Sequence, residues 1–257
     1  MYQKSDYIAV FDSGVGGISV LRELTRLLPK EQFLYYGDSA NAPYGSKSTE
    51  QVRKLTLEAA KRILCKPVKA LVIACNTATA AAIDILRSEY PDLIVIGIEP
   101  ALKLAADRYP GKRIGVMATE VTLREEKFDN LLHRFHEDHP VTKISAPGLV
   151  ELVEAGKADS AEADTLLSAI LAPYRGKIDV LVLGCTHYPF AKAAISRVLG
   201  DSIVLLDGGE GTARETRRRL ELAGLLADGN GGILWESSSD DLKITELCKQ
   251  LLANKEN

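Results

Sequence analysis

Short runs rich in valine, isoleucine and leucine alternate along this chain with longer stretches of helical periodicity, and the alternation comes round twice. Leu71-Val72-Ile73-Ala74-Cys75-Asn76-Thr77 has a counterpart in Leu181-Val182-Leu183-Gly184-Cys185-Thr186-His187. Ile8-Ala9-Val10-Phe11-Asp12-Ser13 has one in Ile114-Gly115-Val116-Met117-Ala118-Thr119 at nearly the same offset, as a duplicated unit would leave it. Continuous apolar strands separated by amphipathic helices build parallel sheets covered on both faces. The pattern predicts an α/β protein of two similar units, each a mostly parallel sheet flanked by helices. The units are expected to be related by a pseudo-two-fold, with the site in the cleft between them.

The predicted strands cover 7–11, 32–37, 70–74, 93–98, 113–117, 141–145, 180–183 and 203–206. Helices are expected over 18–28, 49–64, 79–88, 123–133, 162–174, 190–199 and 211–223. The first unit closes near Glu99 and the second ends near Asp207. The predicted division is therefore 1–98 plus 208–257 against 99–207, with the C-terminal segment crossing back to cover the first unit. The stretch 229–241, rich in glycine, serine and aspartate, reads as a loop that adds no strand, with Trp235 as a packing anchor.

At 257 residues with a formal charge of −3, the chain has core enough for two units and no basic field for a polyanion, so no nucleic acid partner is expected. No apolar run approaches the ~20 residues needed to cross a bilayer, and the polar start lacks a signal peptide's apolar stretch. No membrane association is expected, and the cytoplasm is the expected compartment. The four cysteines are too sparse for a disulfide framework and none has metal-site spacing, so no metal is expected. Cys65 and Cys248 fall in helical patterns and read as small apolar residues.

Cys75 and Cys185 end the two matching runs, so they stand at equivalent strand ends on opposite walls of the cleft. Two thiols flanking a bound molecule can take a proton from one face and deliver one to the other, inverting a stereocentre without a cofactor. A thiol titrates near ~8.5, and a strand-to-helix junction is expected to lower that. Asp12 ends the first strand and is followed by Ser13-Gly14-Val15-Gly16-Gly17, a loop whose N–H groups suit an anion at a helix N-terminus. Ser19 stands where a dinucleotide fingerprint needs its third glycine, and no Walker sequence occurs. An isolated Asp-Ser-Gly reads equally well as a turn or cap. At the carboxyl edge of a parallel sheet, where ligands bind, Asp12 joins the two cysteines. His187 can hold or shuttle a proton. Pro43-Tyr44-Gly45 offers a hydroxyl and an accessible N–H on one side of the pocket, or an ordinary turn. His133, His136 and His139 read as solvated surface.

Asp12-Ser13-Gly14-Val15-Gly16-Gly17, Pro43-Tyr44-Gly45, Ala74-Cys75-Asn76-Thr77-Ala78 and Gly184-Cys185-Thr186-His187-Tyr188-Pro189 occur in this order. Together, and over nearly the whole length, they resemble the glutamate racemases of the aspartate/glutamate racemase superfamily. The resemblance implies a cofactor-independent isomerase, a homodimer, that interconverts L- and D-glutamate, the D form serving bacterial peptidoglycan. It implies that Cys75 works on the proton of the D enantiomer and Cys185 on that of the L enantiomer. Asp12 would assist the first and His187 the second, and Glu154 aligns with an acidic residue placed near His187. Asp12, Ser13, Pro43, Tyr44, Gly45, Asn76, Thr77, Thr119, Thr186 and His187 would hold the carboxylates and ammonium of the substrate.

Glu125, Phe128 and Gly208 depart from that family's pattern, where serine, tyrosine and serine are common, which bears on contacts near the helix and unit junction. The chain starts almost directly at its first strand, so no activation by a cell-wall precursor is expected. The residues leave open a racemase of aspartate or a related acid, and a non-catalytic protein whose lobes clamp a small anion over merely buried cysteines. A cysteine hydrolase would leave the second thiol without a task.

Overall fold

The computed structural model describes residues 2–98, 101–124 and 141–254. Its strands are β1 (Tyr7–Asp12), β2 (Gln32–Gly37), β3 (Val68–Ile73), β4 (Ile94–Gly97), β5 (Ile114–Ala118), β6 (Val141–Ser145), β7 (Val180–Leu183), β8 (Val204–Asp207) and β9 (Gly232–Ser237). The helices are α1 (Ile18–Leu27), α2 (Thr49–Ile63), α3 (Asn76–Glu89), α4 (Ala101–Arg108), α5 (Glu120–Arg124), α6 (Leu149–Glu154), α7 (Ala161–Leu171), α8 (Lys192–Leu199), α9 (Gly209–Leu222) and α10 (Leu242–Ala253). One sheet runs β4-β3-β1-β2-β9 and the other β6-β5-β7-β8, with every pairing parallel. Read backwards, β8-β7-β5-β6 reproduces β4-β3-β1-β2 strand for strand. β5 then stands for β1 and β7 for β3, the pairs that the sequence repeat couples.

Strand residues alternate between two faces, and in the inner strands both faces are buried, while the edge strands β6, β8 and β9 are only partly covered. Ile8, Val10, Tyr35 and Val72 pack with Leu21 and Leu24 of α1 and Ala213 and Leu220 of α9. Ala9, Phe11, Leu34, Leu71 and Ile73 pack with Val52 of α2 and Ala82 and Leu86 of α3. In the second sheet Met117, Leu181 and Leu183 meet Leu149, Leu167 and Ile195, while Ile114, Val116 and Val182 meet Leu102 and Ala105. Parallel strands joined by crossover helices all end at one edge of their sheet, which gathers the strand-end residues there. Helix starts are set locally. At α2 the Ser48 hydroxyl accepts from the Gln51 N–H at 3.2 Å and the Gln51 side chain accepts from the Ser48 N–H at 3.0 Å, a capping box.

The stretch 229–241 is not a loop. Residues 232–237 form β9, a parallel edge strand paired with β2 from Gln32↔Gly232 to Gly37↔Ser237. Only Ile233 and Trp235 supply its inward face, too few for a strand signal, and the open edge of β2 is what orders them. Trp235 does serve as an anchor, its ring centroid 5.8 Å from that of Tyr35. Cys248 is buried in α10, but Cys65 is exposed, its sulfur donating to the Lys61 carbonyl at 3.3 Å just past the end of α2. Cys65 is thus a surface residue and no part of the core. Gly208 is buried at the start of α9, where its carbonyl accepts from the Thr212 hydroxyl at 2.7 Å. Glu99, Glu125, Phe128, His133, His136 and His139 lie outside the described residues. Among the described residues no helix is long and apolar enough to cross a membrane.

Candidate active site

The strand ends of the two sheets face one another. Asp12 is the last residue of β1, Cys75 follows β3, Thr119 follows β5 and Cys185 follows β7. The Thr186 hydroxyl donates to Asp12 Oδ2 at 3.0 Å, and the Val15 N–H donates to Glu154 Oε1 at 2.9 Å, so each sheet contributes to the surroundings of the other's catalytic candidates. Asp12 is fully buried, and Cys75, Cys185 and His187 are exposed by 6%, 8% and 2%.

Cys75 caps α3, which begins at Asn76 rather than three residues later as the sequence suggested. Its sulfur accepts from the Ala78 N–H at 3.4 Å and donates to the Ser13 hydroxyl at 3.7 Å. Burial, joined by the negative charge of Asp12, nevertheless pushes this thiol up to about 12. The expected lowering by the helix terminus is therefore overturned at Cys75, because desolvation of the thiolate exceeds what the Ala78 N–H, and the Ser13 hydroxyl once it turns to donate to the ionised sulfur, return.

The Cys185 wall is built differently. His187 Nδ1 lies 3.6 Å from Cys185 Sγ, and Nε2 lies 2.6 Å from Glu154 Oε1 at the end of α6. Burial disfavours a charged imidazole, but the contacts with Cys185 and Glu154 outweigh it and hold His187 well above its ordinary range. Burial likewise resists ionisation of Glu154, and the bonds from His187 and the Val15 N–H overcome it, keeping the carboxyl below its usual range. One sulfur thus faces an imidazolium backed by a carboxylate. The other faces neutral donors and Asp12, whose own carboxyl burial, first of all, raises to about 6.

The glycine-rich loop after β1 does meet a carboxylate, but it is the protein's own. The Glu154 carboxylate occupies the space where Gly14 would carry a Cβ. A Cβ at Gly16 would lie 2.6 Å from Thr186 Oγ1 and His187 Cε1, and closer still to His187 Nδ1. These glycines let α1 start directly against the Cys185 wall. Gly16→Ala is expected to displace His187 and to cost about 1–3 kcal/mol of stability through overpacking, read as a lower Tm.

Opposite this contact, three hydroxyls join the two sheets. Thr77 Oγ1 lies 3.2 Å from both Thr119 Oγ1 and Thr122 Oγ1, which are 3.0 Å from each other. Thr122 escaped the sequence reading, although Thr119 and Thr122 stand three residues apart at the entry to a helix, a spacing that brings two side chains to one face. Gly45 backs onto Thr119, whose Cβ would lie 2.7 Å from a Cβ there. Pro43 and Gly45 flank Tyr44 at this rim, but the Tyr44 hydroxyl is committed, donating to Asp38 Oδ2 at 2.6 Å. Asn76 Nδ2, next to Cys75, is buried without a hydrogen-bond partner, an unmet donor that an acceptor would satisfy.

Residues 8–216 match the Asp/Glu/hydantoin racemase family. The chain is 46% identical to the glutamate racemase of Clostridium botulinum strain Alaska E43 over 98% of its own length and 99% of that relative's. The Thermus thermophilus glutamate racemase, solved in complex with β-chloro-D-alanine, aligns with a TM-score of 0.84 at 38% identity, covering 97% of this chain and 94% of that one. The Francisella tularensis glutamate racemase, solved in complex with D-glutamate, aligns with a TM-score of 0.87 at 29% identity, covering 98% and 95%. With buried cysteines at equivalent strand ends and this likeness along its whole length, the chain belongs to the Asp/Glu/hydantoin racemase family and is an amino-acid racemase of its glutamate racemase group.

Proposed function

We propose that this protein interconverts L- and D-glutamate without a cofactor by a two-thiol mechanism, acting as a cytoplasmic homodimer whose D-glutamate supplies peptidoglycan synthesis. The observation that carries the reading is the pair of buried thiols in unlike settings, Cys185 against His187–Glu154 and Cys75 against Ser13, Ala78 and Asp12. The names of the similar proteins and the D-glutamate bound by the Francisella enzyme support glutamate as the substrate. The substrate lies between a unit of residues 1–98 with 208–257 and a unit of residues 99–207.

From L-glutamate, the Cys185 thiolate takes the α-proton. The C–H bond breaks, an S–H bond forms, and the electron pair stays on the α-carbon and its carboxylate. The Cys75 thiol then gives its proton to the opposite face, keeping the S–H pair as thiolate, and D-glutamate results. From D-glutamate the same steps run backwards. The imidazolium of His187 offsets charge on the Cys185 sulfur, while burial keeps Cys75 a protonated donor at neutral pH. Asn76, Thr77 and Thr119, with Ser13 and the backbone N–H groups of Tyr44, Gly45 and Thr186, supply donors for the carboxylates, while the Thr186 hydroxyl stays on Asp12 and Pro43 shapes the turn. Such preorganised donors in a water-poor site stabilise the carbanion, and each thiol adds the ~10²–10⁴-fold typical of acid–base catalysis. Iodoacetamide should alkylate Cys185 at least about tenfold faster than Cys75 and glutamate should slow both, since reactivity follows thiolate character and access. Equal labelling without protection would contradict the reading.

Asp12 supplies a second check. Its folded-state pKa lies above the unfolded one, so the ionised group costs stability at neutral pH, and the cost is relieved as the pH falls below about 6. Asp12→Asn removes that cost; its single carbonyl oxygen keeps the acceptor for the Gly14 N–H, while its amide NH₂ takes the place of Oδ2 and donates to the Thr186 hydroxyl, which turns to accept. The variant is expected to gain about 1–3 kcal/mol of stability at pH 7.5, seen calorimetrically, while losing most racemisation.

A further inference from the structure

Tyr35 lies in the middle of β2 with its side chain fully buried and its ring against Trp235 of β9. Its hydroxyl crosses to the loop after β1 and donates to the Gly14 carbonyl at 2.6 Å. That carbonyl and the Val15 N–H belong to one peptide group. The N–H donates to Glu154 Oε1 at 2.9 Å, the same oxygen that lies 2.6 Å from His187 Nε2, and His187 Nδ1 lies 3.6 Å from Cys185 Sγ. A continuous line of hydrogen bonds therefore runs from the Tyr35 hydroxyl through one peptide group, one carboxylate and one imidazole to the sulfur.

We propose that Tyr35 is a positioning residue for Cys185, fixing and polarising the Gly14–Val15 peptide that holds the Glu154–His187 pair against the thiol. Hydrogen bonds in series strengthen one another in a buried setting. A donor on the Gly14 carbonyl makes the Val15 N–H a better donor, and a better donor there stabilises the Glu154 carboxylate. A stabilised carboxylate leaves the shared proton on His187, where it faces the Cys185 sulfur. Burial raises the Tyr35 hydroxyl far above its ordinary range, so it stays protonated and remains a donor. The neighbouring Tyr36 packs in the core on the other face of the same strand and reaches none of these groups, which makes it an internal control. The proposal rests on the assignment of Cys185 as an acid–base group.

Tyr35→Phe keeps the ring and removes only the donor. Iodoacetamide alkylation of Cys185, measured without substrate at fixed pH, is expected to slow about three- to tenfold, the worth of roughly one hydrogen bond, with Cys75 alkylation unchanged. Racemisation should lose a similar factor in kcat with little change in KM, and Tyr36→Phe should alter neither. In a double-mutant cycle the effect of Tyr35→Phe on Cys185 should vanish when Glu154→Gln has already broken the line. Unchanged Cys185 alkylation, equal slowing of both thiols, or additive effects with Glu154→Gln would overturn the proposal. An insoluble Tyr35→Phe protein would also count against it, since a hydroxyl that only positions is dispensable for folding. Alkylation is read without glutamate, whereas the wild-type protein's activity on glutamate tests the substrate reading, so failure of one is distinguishable from failure of the other.

Discussion

Cys75→Ser is expected to cut racemisation of either enantiomer by at least about 10²–10⁴-fold, the share of catalysis that a positioned acid–base group carries. Serine fits the space of a buried cysteine, so the sheets and the α3 cap should survive. A hydroxyl is a far weaker acid than a thiol, and burial already opposes charge at this position. The variant should still exchange the α-proton of L-glutamate with solvent, because Cys185 with His187 and Glu154 can remove and return it on one face. Cys185→Ser should show the mirror defect, exchanging the D enantiomer alone. Chiral chromatography joined to mass spectrometry separates the two outcomes: isotope gained without inversion supports one base per face. Full activity in either variant would end the two-thiol account.

The second large effect concerns how the C-terminal segment is held. Lys69 lies within β3 with none of its surface exposed, and its ammonium meets Glu31 Oε2 at 2.6 Å, a carboxylate also buried. The ammonium further donates to the Lys4 carbonyl and, at 3.0 Å, to the Leu225 carbonyl, while Glu31 Oε1 accepts from the Ala227 N–H at 2.8 Å. One buried pair thus ties the N-terminal segment, the sheet and the connection between α9 and β9. Lys69→Met strands the Glu31 charge and should cost about 3–5 kcal/mol, whereas replacing both members with apolar residues of similar size should restore most of that loss. For a chain of this length the single change lowers Tm by roughly ten degrees. Lys69 sits at the end of β3 remote from Cys75, about 20 Å away along an extended strand. Activity measured well below Tm should therefore be nearly unchanged, and a loss of activity without a loss of Tm would show that the pair acts on the site.

The sheets were legible because the inner strands are buried on both faces, as β1, β3, β5 and β7 show. The runs that became β2, β6 and β7 have the bounds that their apolar composition predicts, 32–37, 141–145 and 180–183. β9 was hidden because its strand character comes from pairing with β2, a tertiary property that two alternating apolar residues do not announce. α6 is only six residues long and follows Gly148 at φ 86°, too short to show a helical period. At the site, Cys75 and Cys185 stood out because each closes a repeated run. The distant pairings did not. Val15 and Glu154 are 139 residues apart, and nothing along the chain signals that a glycine loop has been cut to fit that carboxylate. Glu154 was reached through resemblance alone, and nothing in the sequence sets Tyr35 apart from the rest of its strand. The Cys75 thiol also went against expectation, because the sequence shows a helix start but not the depth of burial that outweighs it.

The most direct measurement is incubation of the purified protein with L-glutamate in D₂O, without added cofactor, following optical rotation and the α-proton NMR signal together. The account predicts that both decay in step and that the D-glutamate formed carries deuterium at its α-carbon. An α-proton signal and a rotation that both persist while the protein is folded would contradict it, and exchange of aspartate in place of glutamate would keep the two thiols and refute the substrate.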